Sequence, residues 1–122
     1  MIEQLKTFPE GVLAFVCTGR VTKEDYDSVL IPAVNAALRR PGKIRLYYET
    51  ARDFVGFDPG AMWEDFKVGV EHLSRWERVA VVTDVEWLNQ AMRIFRFLMP
   101  CDLKSFPTSQ ADAARTWITA SH

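Results

Sequence analysis

Two histidines and two cysteines are all that this 122-residue chain carries of the nitrogen and sulfur ligands that most often hold zinc. His72 is the only internal histidine, and one histidine makes no zinc site without cysteine or carboxylate help at suitable spacing. Cys17 and Cys101 are too few for a disulfide framework. Cys17 closes an apolar run and reads as a buried thiol, Cys101 follows Pro100 on a connection, and neither has a partner suggesting a nucleophile–base pair. An excess of one charge is missing as well. Fifteen basic side chains stand against 16 acidic ones, net −1, with no block of like sign, which argues against a nucleic-acid binder needing a basic stripe to release counterions. No run approaches the roughly 20 apolar residues of a membrane span. Glu3, Lys6 and Glu10 break any signal-peptide core. The patterns Gly-x-Gly-x-x-Gly, Gly-x-x-x-x-Gly-Lys and Gly-x-Ser-x-Gly do not occur. These absences set the expectation of a cytoplasmic, reduced protein that is not an enzyme, with no cofactor, no metal, no nucleic-acid partner and no integral membrane association.

What is present is an ordinary globular balance, 48% apolar and 25% charged. At this length one domain over residues 1–120 is expected, burying about two-thirds of its unfolded surface without staples. Residues 2–8 read as a short edge strand, Pro9-Glu10-Gly11 as a turn, and the continuous apolar run over 12–17 as a strand buried on both faces, the two pairing as a hairpin. Tyr26, Val29, Leu30, Ala33, Val34, Ala37 and Leu38 recur at helical spacing and predict a helix over 22–39. Thr22 and Asp25 form a capping-box start, and Pro32 predicts a kink. A strand over 43–49 follows, then a loop over 50–57. Asp58 as N-cap and Pro59 as first helical residue open a helix to about Trp76, with Trp63, Phe66, Val70 and Leu73 on one face. A strand over 78–83 leads to a helix capped by Asp84 and ending near Met99 before Pro100. A last strand spans 103–106, and Ser109 with Asp112 starts a final helix whose Ala113, Ala114, Trp117 and Ile118 face inward. The order β-β-α-β-α-β-α-β-α predicts an α/β fold, with a mixed, mostly parallel sheet of about five strands, an antiparallel N-terminal hairpin and four helices on right-handed crossovers.

Several phrases then point to a family. Gly19 is followed by Thr22-Lys23-Glu24-Asp25-Tyr26, the first long helix carries Ile31-Pro32-Ala33, and the central loop reads Phe54-Val55-Gly56-Phe57. Ala61-Met62-Trp63-Glu64-Asp65-Phe66-Lys67 with Gly69 and His72 follows, then Arg78-Val79-Ala80-Val81-Val82-Thr83-Asp84 and Trp87. Together, over nearly the whole chain, these resemble the SpoIIAA-like family. That family shares the fold of STAS domains, the sulphate-transporter and anti-sigma-factor-antagonist modules. The resemblance implies a small domain with no established enzyme activity. Anti-sigma antagonists carry a phosphorylatable serine at the start of the helix after the third strand. Here the matching stretch reads Phe57-Asp58-Pro59-Gly60, and the hydroxyl position holds Pro59, which cannot accept phosphate. Thr50 lies earlier and is a poor substitute, so no usable switch serine is expected.

The loop over 50–57 has three large apolar groups within four positions. It reads either as a pocket lip or docking patch, or as a satellite core into which Phe54 and Phe57 fold back. The favoured contact patch joins Arg52, Phe54, Phe57, Asp58, Trp63 and Trp87, at a strand-end crevice of the sort that binds ligands in α/β sheets. The helix from 85 to 99 is unusually apolar. Trp87, Ala91, Ile94 and Leu98 form one line with Leu88, Met92, Phe95 and Met99 beside it, and Phe97 lies outside, among Gln90, Arg93 and Arg96. That stripe is wider than a sheet-packing helix needs. It reads as core with one exposed Phe, as a homodimer or partner face involving Phe95, Arg96, Phe97 and Met99, or, more weakly, as a membrane-surface pattern. Glu64 with Lys67, and Lys67 with Glu71, fit ordinary surface charge pairing, so the adjacent carboxylates Glu64 and Asp65 read as surface charge rather than catalytic groups. The function expected is a binding or regulatory module working through protein contacts. The alternative is a carrier of a small apolar ligand such as a fatty acyl chain.

Overall fold

The computed structural model describes residues 1–9, 11–58, 75–98 and 101–120. Five strands make the main sheet: β1 (Ile2–Gln4), β2 (Val12–Cys17), β4 (Ile44–Thr50), β6 (Trp76–Val82) and β7 (Asp102–Phe106), in the spatial order β1-β2-β4-β6-β7. The β1–β2 pair is antiparallel and the other three pairings are parallel. Two short strands, β3 (Arg20–Val21) and β5 (Gly56–Phe57), form a separate parallel pair that the sequence pattern does not announce.

The strands read in sequence as apolar runs because both faces are covered. Leu13, Phe15, Cys17 and Tyr48 enter one cluster with Tyr26, Leu30 and Val34. Ala14, Tyr47, Ala80 and Val82 point the other way, onto Ala114 and Ile118. Val79, Val81 and Leu103 pack on Leu88. The order β2-β4-β6-β7 advances in one direction. Tyr26, Leu30, Val34 and Leu88 thus cover one face, and the C-terminal helix α4 (Ala111–Thr119) takes the other. The strand order never reverses, so the crevice that a reversal opens in doubly wound sheets is not built here.

Helix formation after β3 follows the local signals. Thr22 Oγ1 accepts from the Asp25 amide, and the Asp25 carboxylate accepts from the Thr22 amide, the reciprocal capping box. Helix α1 (Lys23–Asp25) passes into a π turn (Tyr26–Leu30) and then α2 (Ile31–Leu38). Pro32 has no N–H for the ladder and its ring crowds the carbonyl four residues back. The expected irregularity takes the form of this wider turn, in which Ile31 N–H reaches the Tyr26 carbonyl.

Four expectations need correction. Trp76 does not end a helix; it is the first residue of β6, buried and paired with Ile44. The rest of the helix expected over 58–76, including Trp63 and His72, lies outside the described residues. Asp84 does not cap α3 (Glu86–Leu98); its carboxylate accepts from the Thr108 amide at 3.0 Å and from the Thr108 hydroxyl, tying the end of β6 to the segment after β7. Thr83 Oγ1 instead accepts from the Val85 amide. Ser109 and Asp112 make no capping box, because residues 108–110 form a 3-10 turn and α4 starts after Gln110 without a side-chain cap. Ala114 and Ile118 of α4 are buried, whereas Ala113 faces outward.

Candidate functional site

The loop that follows β4 is held to the β2–β3 connection by main-chain bonds. The Ala51 amide donates to the Cys17 carbonyl at 2.9 Å, Val55 to Gly19 at 2.8 Å and Asp58 to Val21 at 2.8 Å, and Phe54 turns back onto Ala51 at 3.1 Å. Gly19 sits at φ 55°, in the left-handed region where a glycine meets no side-chain penalty. The phrase Phe54-Val55-Gly56-Phe57 is therefore a braced ledge rather than a loose loop.

The ledge inserts aromatic rings next to the core. Phe57 lies edge-on to Phe54 at 5.0 Å and to Trp87 at 6.2 Å. It stacks with Tyr26 at 6.3 Å and with Tyr48 at 6.4 Å. These separations fall within the range of favourable aromatic pairs. Phe57 touches both the cluster under α1–α2 and the one under α3, and Phe54 touches the first. Both rings are half-buried, so the satellite-core reading accounts for their inner edges. The outer rim is different. Val55 is 69% exposed and Trp87 44% exposed.

Polar groups at the strand ends are taken up internally. Thr50 is the last residue of β4 and 2% exposed, and its hydroxyl donates to Thr83 Oγ1 at 2.7 Å. A kinase has no access to such a hydroxyl. Asp58 accepts from Arg20 Nη1 at 3.0 Å, and its own amide is bound to Val21, so that amide is not offered to an anion. Arg52 is exposed and lies close enough to Asp84 to help hold its carboxyl below the ordinary value, after the larger effect of the Thr108 hydroxyl and amide.

The structure divides the wide apolar stripe of α3. Val85, Leu88 and Met92 pack toward the sheet, whereas Trp87, Ile94 and Phe97 are exposed, Ile94 by 66% and Phe97 by 88%. Phe54, Phe57 and Trp87 are thus brought together, Arg52 and Asp58 border them, and Arg96 and Phe97 lie outward farther along α3. Trp63, Met99 and the Phe95 side chain are outside the described residues. The two buried tyrosines under Phe57 were not singled out from the sequence. Their signal was available, since Tyr26 begins the helix pattern and Tyr48 sits in an apolar strand.

On the opposite face a second polar arrangement escaped sequence reading. Arg45 and Arg78, partners across β4 and β6, both reach the end of α4. Arg45 Nη1 donates to the Ile118 carbonyl at 3.0 Å and to that of Ala120, and Arg78 Nη1 donates to Trp117 at 3.0 Å and Ala120 at 3.1 Å. These carbonyls lie at the C-terminal end of the helix, where positive charge is favoured. Nearby, Tyr47 donates to Glu49 at 2.5 Å, and burial followed by that carboxylate pushes the phenol well above its ordinary pKa.

Among the described residues, no group of three or more His, Cys, Asp or Glu side chains is placed to hold a metal ion, and no helix is long and apolar enough to cross a membrane.

A family model described as SpoIIAA-like matches residues 12–119. No curated protein matches the chain. Among solved structures, an uncharacterised protein with a SpoIIAA-like fold from Shewanella loihica PV-4 is similar, with a TM-score of 0.77 and 26% sequence identity over 96% of this chain and 93% of that one.

Proposed function

This chain belongs to the SpoIIAA-like family, and on that premise we propose that it is a non-catalytic regulatory module that binds another protein through the aromatic ledge. Phe54 and Phe57 form the centre, Val55 and Trp87 the exposed rim, and Arg52 and the Arg20–Asp58 ion pair the polar border. Trp63 is assigned to the same patch from its place in the sequence.

The observation that carries this reading is the split character of the ledge. Its inner rings touch one another and the core, while Val55 and Trp87 stand in solvent beside them on a main-chain-braced platform. A rigid aromatic anchor with a wet rim is the composition of a protein contact surface. Phosphorylation control of the anti-sigma kind has no hydroxyl here to act on, since Pro59 takes the switch position and the Thr50 hydroxyl is bound to Thr83. A carrier of a small apolar ligand is the alternative. The ring-to-ring contacts among Phe54, Phe57 and Trp87 favour the contact surface over it.

A photo-crosslinking amino acid at Val55 tests the reading in cells that express the chain. A discrete protein adduct that disappears with Trp87→Ser and persists with the distant Arg115→Ser supports it. An adduct with only the mass of an acyl chain replaces it with the carrier function.

A further inference from the structure

The outward face of α3 forms a line that no described element covers. Trp87 and Ile94 are seven residues apart, about 20° from alignment at roughly 100° per residue, and Phe97 follows one turn after Ile94. All three are exposed, by 44%, 66% and 88%. Trp87 also touches Phe57, so this line continues the ledge described above. Single exposed apolar residues need no explanation, but a contiguous row of them does.

The charges beside that row identify what covers it. Glu86 and Arg93 are exposed and also seven residues apart, on one flank about 100° from the Trp87–Ile94 line. Arg96 is exposed near the same end as Arg93. The flank is therefore negative at the N-terminal end of the helix and positive at its C-terminal end. A two-fold axis lying across the face turns a second α3 antiparallel and brings each flank against the same flank of its partner. With the axis at the height of residues 90–91, Trp87 falls on Ile94 of the other copy. Glu86 then lies within about 3 Å of rise of Arg93 on the other copy. The same operation opposes the two helix dipoles.

We propose that this face pairs with a second copy of this chain, α3 against α3 and antiparallel, with Trp87 and Ile94 at the centre and Glu86 facing Arg93 across the two-fold. The inference rests on the reading of the chain as a protein-contact module and names one partner for it. An isologous contact needs one surface complementary to itself, which the flank charge pattern supplies. A 13-residue helix is about 20 Å long, short beside interfaces that bury about 800 Å² per partner. The dimer is accordingly weak and concentration-dependent.

Sedimentation equilibrium of the full chain, from micromolar to millimolar concentration, tests the pairing. Wild type should associate to a dimer, and Ile94→Asp, at an exposed position that leaves the circular dichroism spectrum unchanged, should remain monomeric. Glu86→Arg and Arg93→Glu should each weaken the dimer about three- to tenfold, and the double reversal should restore it, because rim ion pairs contribute modestly but in a partner-specific way. A monomer at every concentration overturns the proposal, as does a dimer that the double reversal fails to restore. A monomer that instead binds phosphatidylserine vesicles through Ile94 also overturns it. A monomer that still gives the Val55 protein adduct removes the self-pairing alone, and loss of both removes the contact-module reading with it.

Discussion

The hydroxyls of Tyr26 and Tyr48 meet at 2.9 Å, buried, with both rings stacked on Phe57. The bond joins the first helical turn after the capping box to the central strand of the sheet, and it lies directly under the ledge that presents Val55 and Trp87. The contact surface therefore depends on a buried polar pair as well as on its own rings.

Removing one hydroxyl deprives the other of a bond in a low-dielectric site. Tyr26→Phe and Tyr48→Phe should each lower stability by about 1–2 kcal/mol, and the double variant should lose less than the sum of the two, because both changes remove the same interaction. Urea unfolding of the four species measures this. Strict additivity would mean that the 2.9 Å contact contributes nothing.

The ledge should separate stability from binding. Phe57 touches four aromatic rings, so Phe57→Ala should cost about 2–4 kcal/mol, in the range for large-to-small changes at partly collapsible sites. Val55→Ser, at a position 69% exposed, should stay within about 0.5 kcal/mol of wild type. A large stability loss at Val55 would assign that side chain to the core and remove it from the contact rim.

The arginine clamp on α4 gives a third expectation. Arg78 is 9% exposed, and its guanidinium lies 5.5 Å from the Trp117 ring centroid while serving the carbonyls of Trp117 and Ala120. Arg78→Met should cost about 1.5–3 kcal/mol, the usual effect of losing charge-assisted bonds to groups left with less solvation. Amide exchange at the end of α4 should accelerate more than in β2. Arg78→Lys should recover only part of the loss, because an ammonium lacks the planar fork.

Asp84 makes stability depend on pH in a defined direction. The Thr108 hydroxyl and amide hold its carboxyl below the ordinary value. A carboxyl whose pKa is lower in the folded than in the unfolded state favours folding above its unfolded value, near pH 3.9, and loses that contribution as pH falls through the folded value. The Tm difference between wild type and Asp84→Ala should be constant around neutrality and should narrow in acid below that point. A difference that grows on acidification would contradict the assignment.

Much of the fold was legible because it follows from short-range rules. Thr22 and Asp25 three positions apart close a capping box within one turn, and the apolar runs at 12–17 and 44–48 form strands covered on both faces. The misreadings arose where a local signal had a stronger distant competitor. Asp84 has the chemistry of an N-cap, yet a hydroxyl and an amide 24 residues away claim its carboxylate. Ser109 has the spacing of a capping box, but a 3-10 turn displaces the helix start.

The sequence by itself determined the alternation of strands and helices and the aromatic content of the 54–57 loop, since each depends on residue type and spacing alone. Only the tertiary structure decided which apolar residues face out. The periodicity of α3 places Leu88 and Ile94 on one broad stripe, and the sheet buries Leu88 with Met92 while leaving Ile94 and Phe97 in solvent. The pairing of β3 with β5, which braces the ledge, and the meeting of Tyr26 with Tyr48 across 22 residues were settled in the same way. Periodicity fixes the angle between side chains around one helix, but the direction of the core is a property of the sheet it packs on.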